Sequence, residues 1–281
     1  MAPFELFPFL SEVIPDLELF LDSINSAENI TLVAEPKLNQ LVSLSLLEAS
    51  FLEKGMLYHR KLVDDINQYV PNEKNLSIYF KDTKIINNSV LVISSKEINV
   101  YLGQNKTARV GKLDVVGMAT CLSLMIGDER IFDLLPLILA GNWLRESLDF
   151  TYDPVFTLLR DYLQKNGIIS VVSIAEVIEP DLIELPGIDS NKLDLLRNEW
   201  SKIDLNEQSE RLSLVARPLL TSTIGVARLE ELMWHRVIKS NWNIDLASQC
   251  SRVQRELKSS SQKLVSASRL IDQIIRSGKL T

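Results

Sequence analysis

The sequence predicts an α/β fold: a doubly wound, mainly parallel sheet, followed by a smaller C-terminal α/β region that ends in a long helix. Three observations predict it. Short β-branched runs alternate with helically spaced segments through the first half. From Lys112 onward helical spacing dominates. The composition, 46% hydrophobic and 24% charged, supplies enough apolar material for a buried core and excludes a disordered or collagenous chain. With 281 residues, against roughly 150 per domain, one large or two small domains are expected.

Each element follows from its local pattern. Ile30 to Ala34 is an apolar strand, and Leu38 to Leu52 is a helix with Leu41, Leu44, Ser45, Ala49 and Leu52 on one face. Met56 to Val63 is β-like, and Leu76 to Phe80 and Val90 to Ile93 are two further strands. Apolar strands separated by helices imply a parallel sheet covered on both faces. Ile98 to Leu102 and Ala108 to Val110 suit an edge hairpin around the polar Gly103 to Thr107. Val115 to Ile126, Glu129 to Leu139 and Pro154 to Gln164 are predicted helices, the second kinked or restarted at Pro136. Ile168 to Ile178 returns to β-branched residues, and Arg211 to Val215 is predicted as a short strand. Leu185-Pro186-Gly187-Ile188 resembles a helix-hairpin-helix turn but reads as a plain turn entering the helical Leu193 to Trp200, with Asp189 or Ser190 as N-cap. One amphipathic helix is predicted from about Asp245 to Ser277, its seam formed by Leu246, Val253, Leu257, Leu264, Ile271 and Ile275.

The formal charge of −7 argues against a protein that coats duplex DNA with its whole surface, although a local basic stripe is compatible with it. Residues 1 to 36 hold seven acids and no base, whereas 251 to 281 hold seven bases against Glu256 and Asp272. No window reaches the roughly 18 apolar residues of a membrane span, and no base precedes Lys37, as a signal peptide would require. The expectation is a soluble, cytoplasmic protein with Cys121 and Cys250 as reduced thiols.

In a doubly wound sheet, ligands sit beyond the carboxyl ends of the strands. Those ends read Ala34-Glu35-Pro36-Lys37-Leu38-Asn39-Gln40, Phe80-Lys81-Asp82 and Ile93-Ser94-Ser95-Lys96, with too few carboxylates for a di-metal cluster. A Walker loop fails because Lys106 stands where Gly111-Lys112 would need a glycine, and 34 to 40 holds no glycine for a dinucleotide turn. His59 and His235 have no Cys or His at ligand spacing, so both are expected in structural or surface roles, and Cys121 in the core.

The strand, turn and helix from Ile30 to Leu47 resemble the opening of the DHH phosphoesterase superfamily, the RecJ-type nucleases. There a strand ends in His, any residue, Asp, any residue, Asp-Gly. Here Glu35 stands at the His, Lys37 and Asn39 at the two Asp, and Gln40 at the Gly. Leu76 to Phe80 resembles the second-motif strand, with Lys81 in place of its terminal Asp. Val90 to Ile93 resembles the strand that delivers Asp-His-His, replaced by Ser94-Ser95-Lys96. Leu135 to Ser147 resembles the fourth motif, where Arg145 fills the slot of an Asp four residues after Gly141, and Asp114 to Ile126 resembles the small-residue helix between them. Glu179 to Ile203 is more loosely similar to the opening of the accessory domain in archaeal RecJ-like proteins.

The resemblance implies a DHH-like domain over 1–150, a helical connector over 151–170 and a reduced accessory region over 171–281. It also implies no catalysis and no metal or other cofactor, because lysine or arginine occupies three ligand slots and repels a cation. The similar non-catalytic proteins are the Cdc-forty-five-like branch and its archaeal counterparts, which join the MCM helicase to the GINS complex. The expected role is therefore a scaffold in a replicative helicase assembly, nucleoid-associated, with GINS and MCM as partners and no membrane. An alternative is a free-standing single-stranded DNA binder that uses Lys37, Lys81, Lys96 and Arg145 converging on the old catalytic cleft. A metal-dependent single-strand exonuclease is the other alternative, and it would need ligands from outside the four strand ends.

Overall fold

The computed structural model describes residues 7–82, 89–103, 107–127, 129–143 and 153–281. A 3-10 segment, Pro8–Val13, leads into α1 (Ile14–Ser26) and β1 (Ile30–Ala34). Helix α2 (Leu38–Lys54) then carries the chain to β2 (Tyr58–Leu62), which is followed by β3 (Leu76–Phe80) and β4 (Val90–Ile93). These four strands form one parallel sheet in the order β2-β1-β3-β4, with Ile30 opposite both Tyr58 and Leu76 and Phe80 opposite Ile93. This is the mixed α/β architecture with a parallel sheet that the alternating pattern predicts.

The two faces of the sheet are covered unequally. Ile30, Leu32, Ala34, Ile78, Phe80 and Ile93 join the main core under α2. Val33 and Tyr79 point the other way, into a small cluster with Ile66, Val63, Tyr69, Val90 and Val92. That second face meets the crossover from β2 to β3, whose described structure is a 3-10 turn, Ile66–Gln68, and not the helix expected of a doubly wound sheet. The crossover holds Asp64, Asp65, Asn67, Pro71 and Asn72, residues that favour turns over helix.

Helix α2 is buried on almost every side, from Leu38 to Phe51. Its interior serines make this possible: Ser43, Ser45 and Ser50 donate to the carbonyls of Asn39, Leu41 and Leu47, so small side chains enter the core without orphaned hydroxyls. Gly55, at φ 66°, ends the helix in the left-handed region.

The predicted hairpin is β5 (Lys96–Leu102) with β6 (Thr107–Leu113), an antiparallel pair separate from the main sheet. Asp114 then caps α3 (Val115–Ile126), its Oδ1 accepting from the Gly117 amide at 2.8 Å. Helix α4 (Glu129–Leu134) gives way to a 3-10 segment, Leu135–Leu139, at Pro136, as the proline requires. Asp153 caps α5 (Pro154–Lys165).

The remaining chain forms β7 (Ser170–Val172), α6 (Ser190–Glu199), α7 (Leu205–Ala216), α8 (Val226–Trp234), β8 (Arg236–Ile238), α9 (Leu246–Ser259) and α10 (Lys263–Ser277). Strand β7 pairs antiparallel with β8. Asp189 caps α6, as predicted, through the amides of Asn191 and Lys192.

Two expectations are overturned here. Arg211 to Val215 lies inside α7, where Asp204 caps the N-terminus and Leu212 and Val215 face the core at helical spacing. The single C-terminal helix is two helices broken at Ser260. The Ser260 hydroxyl accepts from the Gln262 amide and meets the Ser266 hydroxyl, so serine side chains compete with the helical ladder. Among the described residues, one main core cluster takes members from Phe7 to Leu280. No described helix is long and apolar enough to cross a membrane.

Candidate functional site

The carboxyl end of β1 carries the first candidate residues. Glu35 is buried at 6% exposure, and the turn after it closes on its side chain. Gln40 Nε2 donates to Glu35 Oε2 at 2.8 Å, the Glu35 amide donates to Gln40 Oε1 at 2.8 Å, and Lys37 Nζ reaches the same Oε2 at 2.8 Å. Burial alone would raise the Glu35 carboxyl, but the hydrogen bonds from Lys37 and Gln40 and the Lys37 charge outweigh it, and the group sits below the ordinary carboxylate range. Asn39 turns its side-chain oxygen onto the Gln40 amide at 2.9 Å in the first turn of α2.

The other strand ends lead elsewhere. Lys81 Nζ donates to Asn67 Oδ1 at 2.9 Å, on the β2 to β3 crossover. Ser95 donates its amide and hydroxyl to Asp82 Oδ1 at 2.8 and 2.5 Å, and Lys112 Nζ holds Asp82 Oδ2 at 2.8 Å. Burial pushes the Asp82 carboxyl up, yet these bonds from Lys112 and Ser95 bring it below its usual range. Ser94 is half-buried beside it. Lys96 Nζ swings to α1, meeting Asp16 Oδ2 at 2.6 Å and the Glu12 carbonyl at 2.8 Å. Arg145 lies outside the described residues.

Lys37, Lys81 and Lys96 are thus each engaged by a different partner, Glu35, Asn67 and Asp16. Glu35, Lys37 and Asn39 line one groove of about 560 Å³, and neither Lys81 nor Lys96 is among its lining residues. The far wall comes from α9 and α10 as Leu257, Lys258 and Lys263. Sequence reasoning missed that wall: the basic run of residues 251 to 281 was its visible signal, but nothing local says that it faces β1.

Among the described residues, no three His, Cys, Asp or Glu side chains come together to hold a metal ion. His235 Nδ1 stands 3.3 Å from Glu231 Oε1, while His59 is exposed on β2. Cys121 is buried, its thiol pushed up to about 12 by desolvation and the nearby Asp114 charge. Burial likewise pushes Cys250 up, so neither thiol is an activated nucleophile. No protein-family model matches the chain, and no curated protein matches it.

Proposed function

We propose that this chain is a non-catalytic, RecJ-like scaffold of the Cdc-forty-five-like kind, working in a replicative helicase assembly with GINS and MCM. The observation that carries the reading is the turn after β1. A RecJ-type enzyme would present metal ligands there; here Glu35 is committed to Gln40 and Lys37, and an ammonium group stands where the first aspartate would be. A side chain already answered by its neighbours, next to a cation, is a poor ligand for a divalent metal. Lys81 occupies a second ligand slot and is turned to Asn67. A scaffold acts through its interfaces, and stable ones bury about 1,200–2,000 Å² in total.

The test is reconstitution. The purified chain is expected to co-elute with GINS and to increase recovery of MCM with it. It is also expected to leave single-stranded DNA intact in manganese or magnesium. Metal-dependent cleavage that follows the protein through two columns and is lost in a folded variant would overturn the proposal.

A further inference from the structure

The groove beside Lys37 has a chemical character of its own. Its floor is apolar, made by Pro36, Leu38 and Leu257. Its rim is basic: Lys37 from the β1 turn, Lys258 from the last turn of α9, and Lys263 from the first residue of α10. Lys37 is engaged with Glu35, whereas Lys258 and Lys263 are exposed, and neither side chain takes part in a hydrogen bond or ion pair among the described residues. Glu35 and Asp64 are the acidic groups on the lining, and Lys37 answers the first of them.

Helices α2 and α10 open their amino ends onto the groove, and α9 its carboxyl end. In α2 the Asn39 side chain already accepts from the Gln40 amide, so the helix ends add little and the lysines carry the field.

We propose that this groove receives an acidic segment of a partner protein, with one apolar side chain seated on Pro36, Leu38 and Leu257 and carboxylates on Lys258 and Lys263. Charge complementarity selects the sign of the ligand, and the apolar floor selects a side chain over a phosphate backbone. Single-stranded nucleic acid fits less well. Its bases stack on aromatic platforms, and no aromatic residue lines this groove. The inference rests on the scaffold reading for the identity of the partner but not for the chemistry of the groove.

Fluorescence anisotropy on the full chain tests it. The probes are a labelled peptide with Leu flanked by Glu residues, its counterpart with Lys in place of Glu, and a labelled oligo-dT. The Glu peptide is expected to bind and to weaken with salt, and the Lys peptide is not. Lys258→Glu with Lys263→Glu is expected to weaken the Glu peptide roughly tenfold or more. The milder Lys258→Ser with Lys263→Ser should lie between, and Lys81→Ala with Lys96→Ala should leave binding unchanged. Both mutated lysines are exposed, so thermal melting should report an intact fold.

Equal affinity in the charge-reversed variant overturns the proposal. So does oligo-dT binding through these lysines with no peptide binding, or a homodimer that they hold together. Co-elution with GINS and MCM separates the two readings. Partners recovered equally by the charge-reversed variant would sink the groove and leave the scaffold. A Glu peptide bound by a chain that recovers neither partner would do the reverse.

Discussion

Two regions of this molecule keep charge away from water, and they do so in opposite ways. After β1, Glu35 is held by residues two and five positions away, Lys37 and Gln40. Around α8 and β8, Arg160 Nη1 meets Glu231 Oε1 at 2.5 Å across 71 positions of sequence, and Arg236 Nη1 meets Asp245 Oδ1 at 3.0 Å with exposures of 1% and 0%. The first arrangement is local and sits beside a groove. The second ties α5 to α8, and β8 to the start of α9, yet it leaves Glu231 Oε2 and Arg236 Nη2 without hydrogen-bond partners. Burial of both partners separates their roles: Lys37 stays in water, so that turn can lose a charge and keep its shape, whereas a pair with both side chains sealed holds elements in register.

The largest effect is expected from splitting the sealed pair. Arg160→Ala leaves the Glu231 carboxylate buried with only His235 beside it among the described residues, and should cost about 3–5 kcal/mol by urea unfolding, whereas Glu231→Ala should cost less because Arg160 keeps Asp161 at 3.1 Å. Arg160→Met with Glu231→Leu removes both charges at similar volume and should come out near neutral. A single substitution costing under about 1 kcal/mol would break the contrast between the two regions.

Next in size is Gly141→Ala. A Cβ at that position would collide with the carboxylate of Asp114, the cap of α3. Overpacking of this kind costs about 1–3 kcal/mol. Adding Asp114→Ser, a smaller cap, should return part of the loss, and a double-mutant cycle in urea measures the coupling.

What was legible in the sequence follows the division between near and far. Strand β1, helix α2 and the cap Asp189 were readable because each is decided by residues within a turn or two. Arg211-Leu212-Ser213-Leu214-Val215 alternates like a strand, and only the burial of Leu212 and Val215 together shows that helix wins. The break at Ser260 depends on serine hydroxyls whose partners appear once the chain has turned. The groove was half legible. Lys37 stands out at a strand end, but its opposite wall, Lys258 and Lys263, lies more than two hundred residues along the chain and is brought there by α10 packing on α2. Lys81 and Lys96 illustrate the converse. Sequence order put them at strand ends, while Asn67 and Asp16 decided where their amines point.

The Glu35 turn should respond to acid. Its carboxyl is depressed in the folded state, so the unfolded chain takes up the proton first. The stabilisation is full above the unfolded value of about 4.3 and is lost as pH falls through the lower folded value. Glu35→Gln should cost about 1 kcal/mol at neutral pH and flatten that part of the acid limb. Urea midpoints measured from neutral pH downward, on both chains, check the sign. A variant that keeps the wild-type acid limb would move the titrating group elsewhere.

The smallest effect is expected at Lys96. Its amine meets Asp16 at 2.6 Å, but both side chains stay substantially in water, at 32% and 41% exposure. An exposed pair gains little because solvent screens it and two side chains lose freedom; the range is about 0.2–1 kcal/mol. Lys96 also donates to the Glu12 carbonyl at 2.8 Å, which anchors the start of β5 to the segment before α1. Lys96→Met keeps the aliphatic stem and removes both contacts, while Asp16→Asn removes the charge attraction alone. If the Coulomb part dominates, the two variants lose equal stability at low salt and approach wild type at high salt, as screening predicts. If the carbonyl contact dominates, Lys96→Met stays less stable at every salt concentration. A loss of several kcal/mol in either variant would place this strand end among the staples with Arg160 and Glu231, and the division between sealed and exposed charge would have to be drawn elsewhere.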